Sequence, residues 1–217
     1  MSGFWLITNV FLDVFPWIFL LYMPFKDRLR FSVITTGVLN YIALTIYLLI
    51  FKKITTAEFY NLDVMFSYRV VQIFVVLTLV IFLVDDYIEK SLFVYGLLLP
   101  ISVVILVWAS HINNYITIRQ SATYLDTAVL RIIISAICFP FMYILWKKYI
   151  VPVVKTDNRR QWRQAWIIPI IFSIVSLAYC ENNFEITYMR FNQVIARFTL
   201  SIGVVIVSVM QFSNMNT

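Results

Sequence analysis

The residues that could do chemistry are few, and the most informative is a carboxylate inside an apolar run. Asp13 lies about ten residues into the run 3–25, a depth of roughly 15 Å at 1.5 Å per helical residue. An ionised carboxylate near the centre of a bilayer is costly unless it is paired or protonated. Asn9 precedes Asp13 by one turn. The pair predicts a ligand contact, a proton-sensing group or a latch between helices. A later helix start, or a structural ion pair, is the alternative.

Two arginines and the only histidine border other apolar runs. Arg131 and Arg197 lie four or five residues inside their runs, where long side chains readily snorkel to the head groups. The alternative is that one of them reaches Asp13 as a switchable ion pair. His111 could report external pH because its unperturbed pKa is about 6.5. A single histidine at a membrane interface more often has only an amphipathic role.

Neither catalysis nor a metal site finds support in the residue pattern. The sequence lacks HExxH, GxSxG and a phosphate-binding glycine loop, the motifs whose chemistry is specific enough to predict. One histidine and no CxxC pair exclude a zinc site. Asp85-Asp86 would suggest a metal or diphosphate site only with a second acidic cluster, which is missing. We therefore expect no catalytic residues and no cofactor.

The composition is that of a membrane protein. Of 217 residues, 62% are hydrophobic and 13% charged, whereas soluble domains are about one quarter charged. The chain has a mean hydropathy of +0.87. The net charge of +6 is concentrated beside apolar runs, which indicates membrane topology and anionic head groups rather than nucleic acid.

The apolar runs predict an all-α bundle of about seven transmembrane helices, with six as the fallback, in a single domain. Each run is long enough, or nearly long enough, to cross a bilayer, and polar segments separate them. The predicted spans are 3–25, 33–51, 70–84, 91–110, 127–146, 165–180 and 193–212. The third is short and is expected to begin about a turn earlier. The span 127–146 is expected to stop at Lys147-Lys148.

The basic residues orient the bundle. Nine of the 17 Lys and Arg lie in two loops that the helix count places on one side. Because cytoplasmic loops are enriched in Lys and Arg, we expect an external N-terminus and a cytoplasmic C-terminus in the cytoplasmic membrane. These loop residues are Lys26, Arg28, Arg30, Lys147, Lys148, Lys155, Arg159, Arg160 and Arg163. Lys52-Lys53 on the outer side opposes this orientation.

Helix association cannot rest on close glycine packing in general. The chain has only four glycines, whereas small residues are what let membrane helices approach closely. Larger side chains and a few polar contacts must hold the bundle together. Thr36, Asn40 and Gln72 are the candidates for hydrogen bonds between helices.

The predicted outer segments are rich in aromatic residues and poor in charge. Such a surface would suit a peptide or a small hydrophobic ligand, although aromatic side chains also anchor helices at membrane interfaces. The residues are Phe59, Tyr60, Phe66, Tyr68, Tyr115, Tyr124, Phe184, Tyr188 and Phe191.

Two stretches carry a family resemblance. Phe15–Ser32, FPWIFLLYMPFKDRLRFS, ends a first span in a Pro-Phe step and a basic turn. Lys147–Val175, KKYIVPVVKTDNRRQWRQAWIIPIIFSIV, is a basic loop with an Arg-Trp pair and an Ile-Pro re-entry. Together they resemble the N-terminal membrane sensor region of Gram-positive histidine kinases with a GHKL-type ATPase domain. In that family, related in plan to peptide-pheromone receptors, six or seven spans precede the kinase.

The resemblance implies a sensor without its output domain, because only five residues follow Phe212. We therefore expect a non-enzymatic, receptor-like module that senses a ligand and passes a helix shift to the cytoplasmic side, with a homodimer as the expected assembly. The alternatives are a small transporter, for which polar residues from several helices should meet at one depth, and a truncated remnant without activity.

Overall fold

Every regular element that the structure describes is helical. The computed structural model describes residues 3–50, 62–117, 128–181, 199, 202–203 and 206–207. The prediction of an all-helical chain is confirmed within these ranges. The elements are α1 (Gly3–Tyr22), a 3₁₀ helix (Met23–Arg28), α2 (Val33–Ile50), α3 (Leu62–Leu83), α4 (Ile88–Thr117), α5 (Ala128–Leu145), a π-helical turn (Trp146–Ile150), α6 (Val151–Val154), α7 (Arg159–Ala165) and α8 (Ile167–Glu181).

Helices occupy six of the seven predicted spans, and the seventh, 193–212, lies almost entirely outside the described residues. Two helical stretches, Ile88–Ile105 and Ala128–Val154, are long and apolar enough to cross a membrane. Two shorter apolar stretches are Val33–Tyr47 and Val71–Leu83. As expected, α3 begins before the predicted span 70–84. Within the described residues, length and composition alone therefore identify two candidate membrane helices.

The α-helix of the first span ends earlier than predicted because of a proline. Pro24 cannot donate a backbone hydrogen bond, and its fixed φ suits the first turn of a new helical segment. The chain accordingly changes at Tyr22 from α1 to the 3₁₀ helix, with Pro24 and Phe25 buried. The first basic loop therefore begins within this 3₁₀ helix, directly after α1.

The fifth helix continues beyond Lys147-Lys148, where the span 127–146 is expected to stop. Helical backbone continues from α5 through the π-helical turn into α6. Lysine is a good helix former, and this turn points both lysines outward while it buries Trp146 and Ile150. The true connection is only Lys155–Asn158. Its Thr-Asp-Asn sequence favours local turns over helix.

Helix α4 extends beyond the predicted span 91–110 at both ends. Helix α4 begins at Ile88, so Lys90 lies in its first turn, and it continues through His111 to Thr117. It is the longest described helix and packs against α1, α3, α5, α7 and α8. Helix α4 is therefore the central element of the bundle.

One glycine, Gly96, allows α4 and α8 to approach closely. A Cβ atom on Gly96 would lie 2.8 Å from Pro169 Cβ, too close for any other residue to fit without movement. The Ser173 hydroxyl lies 2.8 Å from both the Gly96 and Pro169 carbonyl oxygens. Of the three glycines whose surroundings the structure describes, only Gly96 is closely packed.

A second polar contact joins α1 to α2. The Tyr22 hydroxyl donates to Asn40 Oδ1 at 3.3 Å, and Asn40 Nδ2 donates to the Thr36 carbonyl oxygen at 2.8 Å. The prediction that Asn40 bonds between helices is confirmed.

The buried core lies close to the loop end of the bundle. It contains the last turn of α1, the end of α3, the start of α4, and the side chains of Trp146 and Trp162. Its largest fully buried side chains include Trp146, Trp162, Phe25, Lys90 and Phe93. A lysine among these residues marks the site described next.

Candidate functional site

Three loops meet at one end of the bundle, as the helix count predicts for the first, third and fifth connections. The first and third are joined by backbone. Leu29 and Val84 form an isolated antiparallel bridge, in which Arg30 N donates to Leu83 O at 2.9 Å and Asp85 N donates to Arg28 O at 2.8 Å. This bridge places Arg28 beside Asp86.

Lys90 is the centre of the site. Its side chain has no solvent exposure, and that of its partner Asp86 is 2% exposed. Asp86 lies in the connection just before α4, and Lys90 follows it by four residues in the first turn of the helix. Lys90 Nζ donates to Asp86 Oδ2 at 3.1 Å, and Arg28 lies 3.1 Å from the same oxygen. Asp86 Oδ1 accepts the Tyr87 N–H at 2.8 Å.

Asp157, on the fifth connection, completes the site. Arg28 donates to both of its carboxylate oxygens at 2.8 Å, and Lys90 Nζ donates to Oδ1 at 3.1 Å. The side chain of Asp157 is 59% exposed. The hydrogen bond from Arg28, followed by that from Lys90, lowers the pKa of Asp157 to about 2. Two cations and two carboxylates therefore balance in charge, and we name Arg28, Asp86, Lys90 and Asp157 the loop cluster.

Aromatic rings cover the buried ammonium group. Lys90 Nζ lies 5.4 Å from the centroid of the Tyr87 ring and 5.6 Å from that of Trp162, within the range of cation–π attraction. Trp162 also donates its indole N–H to the Thr156 carbonyl oxygen at 2.9 Å. The guanidinium of Arg159 lies 5.3 Å from the Tyr87 ring centroid. The fifth loop is thus attached both by charge and by an indole.

Two further ion pairs surround the loop cluster and are exposed. Lys155 lies 3.1 Å from Asp27, and Arg30 lies 3.6 Å from Asp85. The hydrogen bond from Lys155 lowers the pKa of Asp27. Exposed pairs of this kind contribute little to stability, because water and salt screen them.

The predicted basic-loop residues divide into two sets. Arg28, Arg30 and Lys155 pair with carboxylates. The remaining six are exposed, and they are Lys26, Lys147, Lys148, Arg159, Arg160 and Arg163.

Of the predicted ligand or switch residues, the structure describes the side chain of Arg131 only. Arg197 lies outside the described residues, and the side chains of Asn9, Asp13 and His111 lie outside the described side chains. Arg131 is described, and its side chain does not snorkel to the surface as predicted. It is 3% exposed and shares the buried face of α5 with Ala128 and Ser135.

The suggestion of a metal or diphosphate site at Asp85-Asp86 is not supported. Asp86 is already bound by Arg28 and Lys90, and Asp85 faces solvent near Arg30. Within the described ranges, no group of three or more His, Cys, Asp or Glu residues could hold a metal ion. What the sequence did not reveal was the role of Lys90, Asp157 and Trp162. The available signal was Asp86 four residues before a lysine that opens a long apolar run.

Comparison of the chain with protein-family models, with curated proteins and with solved structures finds no match. The resemblance to histidine-kinase sensor regions therefore stays a prediction from two sequence stretches. Any function must be argued from the geometry of the loop cluster and of the helices that carry it.

Proposed function

We propose that the chain is a multi-pass protein of the cytoplasmic membrane, with about seven helices, an external N-terminus and a cytoplasmic C-terminus. The support is apolar surface. Ile34 of α2 is 80% exposed and Ile137 of α5 is 72% exposed, and further large apolar side chains are exposed along both helices. Contiguous apolar surface of this kind marks a membrane or protein contact. The six exposed basic residues would then face anionic head groups.

In this bilayer the protein acts as a non-enzymatic, receptor-like sensor module, as in the kinase input regions that it resembles. The observation that carries this proposal is Lys90, a fully buried ammonium group held between Asp86 of the third connection and Asp157 of the fifth. Because a buried charge tolerates no loss of its partners, α1, α4 and the fifth loop cannot separate gradually. The loop cluster therefore behaves as a latch with a closed and an open state, which is what a signal requires.

The input side of the sensor is the other half of the bundle. The C-terminal ends of α1 and of the α5–α6 helix meet at the loop cluster, and Phe19 packs on Phe139 at 5.8 Å between centroids. From that contact, positions 13 and 131 are roughly 9 Å and 12 Å along their helices. Asp13 and Arg131 therefore remain our candidates for a switchable pair, with a peptide or small hydrophobic ligand as the stimulus.

A small transporter is the second candidate. Arg131 and Ser135 are both buried on α5, which is the placement of polar groups that a substrate path needs. A transporter would require these groups to alternate in access between the two sides, whereas a sensor requires only that they change the state of the latch.

The latch can be tested without a ligand. Spin labels at exposed positions 26 and 160 flank the loop cluster, in a chain whose native cysteines are replaced. In lipid nanodiscs, Arg131→Gln should broaden the distance distribution toward longer values. Ile133→Gln is the matched control because it places the same amide on the exposed side of α5. If Arg131→Gln leaves the distribution of the native chain unchanged, coupling between the two halves is absent and the sensor proposal fails.

Topology is tested with reporters fused to the C-terminus. A reporter active only in the cytoplasm should be active, and one active only outside should be silent. The opposite result would mean six spans or an inverted chain and would remove the architectural basis of the resemblance.

A further inference from the structure

The Asp157 carboxylate is bound by the site in the way that a separate anionic ligand would be. This carboxylate is mostly exposed and lies on the short connection between α6 and α7. Yet it receives three charge-assisted hydrogen bonds from Arg28 and Lys90, at 2.8, 2.8 and 3.1 Å. Such bonds are the strongest that an anion makes with a protein.

The two cations, in contrast, are fixed independently of Asp157. Lys90 is buried in the first turn of α4 and held by Asp86. Arg28 is held by its contact with Asp86 and by the backbone bridge, in which its carbonyl oxygen accepts from Asp85 N. If Asp157 leaves, two cations share a single carboxylate, and their free N–H groups face the vacated place.

We propose that Arg28 and Lys90 form a binding site for a phosphate group and that Asp157 occupies it as an intramolecular competitor. A guanidinium binds phosphate oxygens in a bidentate manner, and an ammonium group adds a point charge. Arg159, over the Tyr87 ring, supplies a third cation at the edge of the site. A phosphate bound there displaces Asp157 and opens the latch. This inference rests on the proposed role of the loop cluster as a latch.

Phosphate chemistry has two possible sources on this face of the protein. One is the head group of an anionic phospholipid, because the site lies at the end of the apolar helices. The other is free phosphate or a small phosphate ester in water. The same site accepts both, so the source is decided by experiment.

The test compares two aspartates on neighbouring loops. Asp157→Ala vacates the proposed site. Asp27→Ala is the matched control, since it removes one exposed carboxylate that also has a cationic partner with the same 3.1 Å separation. The full chain is placed in phosphatidylcholine nanodiscs, and its unfolding temperature is measured against inorganic phosphate at constant ionic strength. A second arm replaces phosphate with phosphatidic acid in the nanodisc.

We expect Asp157→Ala to be stabilised by phosphate at a concentration about tenfold lower than the native chain requires, equivalent to ~1.4 kcal/mol of relieved competition. Asp27→Ala should respond as the native chain does, and Arg28→Gln added to Asp157→Ala should abolish the gain. Asp157→Asn serves if the alanine variant does not fold. A response in the first arm identifies free phosphate as a ligand, and one in the second identifies the lipid head group.

The proposal is overturned if both Asp157 variants respond no more strongly than Asp27→Ala in either arm, or if the response survives loss of Arg28. That failure is separate from failure of the sensor. Arg131→Gln could still change the distance between positions 26 and 160 in a chain that binds no phosphate.

Discussion

Two of the three ion pairs of the fifth loop have equal length and very different character. Lys90 and Asp157 are 3.1 Å apart, and so are Lys155 and Asp27. The first pair has a fully buried cation, whereas the side chains of the second are 53% and 62% exposed. Distance alone does not show which pair matters. The difference in burial predicts that the loop cluster resists separation and that the outer pair follows whatever the loop does.

The same comparison explains why the loop cluster can be a switch. Water replaces a lost partner for Lys155, so that pair opens without consequence. The Lys90 side chain has no solvent exposure, and its ammonium group contacts Asp86, Asp157 and two aromatic rings. Loss of one carboxylate therefore leaves an under-compensated charge in a low-dielectric setting. A ligand that changes the charge balance around Lys90 therefore affects three loops at once.

The largest effect should come from Lys90→Met. The substitution keeps an unbranched side chain one atom shorter, but it leaves Asp86, which is 2% exposed, with Arg28 as its only cationic side-chain partner in the loop cluster. Breaking a buried pair from one side costs about 3–5 kcal/mol. The free energy of unfolding, measured in detergent micelles, should fall by that order.

A double variant separates charge imbalance from packing. Lys90→Met with Asp86→Leu removes one charge of each sign and leaves Arg28 paired with Asp157. Because a buried ion pair can be replaced by apolar side chains with little loss, the double variant should recover most of the stability. If it is no more stable than Lys90→Met, the defect lies in packing and the electrostatic account of the loop cluster is wrong.

The second prediction concerns the indole that covers Lys90. Trp162→Phe removes the hydrogen bond to the Thr156 carbonyl oxygen and weakens the contact with Lys90 Nζ. One hydrogen bond and one cation–π contact together should be worth roughly 2 kcal/mol. Trp166→Phe is a suitable control, since its indole N–H also bonds to a backbone carbonyl, that of Arg163, but on the exposed side of the segment. Thermal unfolding should show a clearly larger loss for Trp162→Phe.

The sequence predicted much of the helical architecture because apolar runs and charge placement are local signals. The second span was expected at 33–51 and the structure has α2 at Val33–Ile50. The common end of the first, third and fifth connections followed from counting helices. The helical backbone, however, continues beyond Lys147-Lys148, where the span 127–146 is expected to stop. A pair of lysines shows where a chain can leave lipid but not where its backbone hydrogen bonds stop.

The loop cluster could be predicted only in part, because it depends on contacts between distant residues. Arg28 and Asp157 are separated by 129 positions, and no spacing rule connects them. Lys90 was counted as a loop residue of an acidic connection, since its burial depends on Trp162 from a later helix. Arg131 was expected to snorkel, and its burial depends on which face of α5 meets its neighbours.

The third prediction is a pH dependence. Asp157 has an ordinary pKa near 3.8 when unfolded and about 2 in the folded chain. A lowered pKa in the folded state contributes stability that is fully present above the unfolded value and lost as pH falls through the folded value. The latch should therefore stay closed from pH 8 to pH 5. The difference in unfolding temperature between the native chain and Asp157→Asn should shrink below about pH 4. A midpoint near neutrality would show that another group controls the loop.

The smallest effect should come from Lys155→Ala, which breaks the outer pair. Both side chains are exposed, and exposed pairs of this kind often contribute nothing measurable. We expect an unfolding temperature equal to that of the native chain, and an unchanged distance between labels at positions 26 and 160. The experiment is informative because Lys155 and Asp157 lie on the same four-residue connection. If Lys155→Ala lengthens the distance between labels at positions 26 and 160, the loop is held by its total charge, and the distinction between a buried and an exposed pair has no functional meaning.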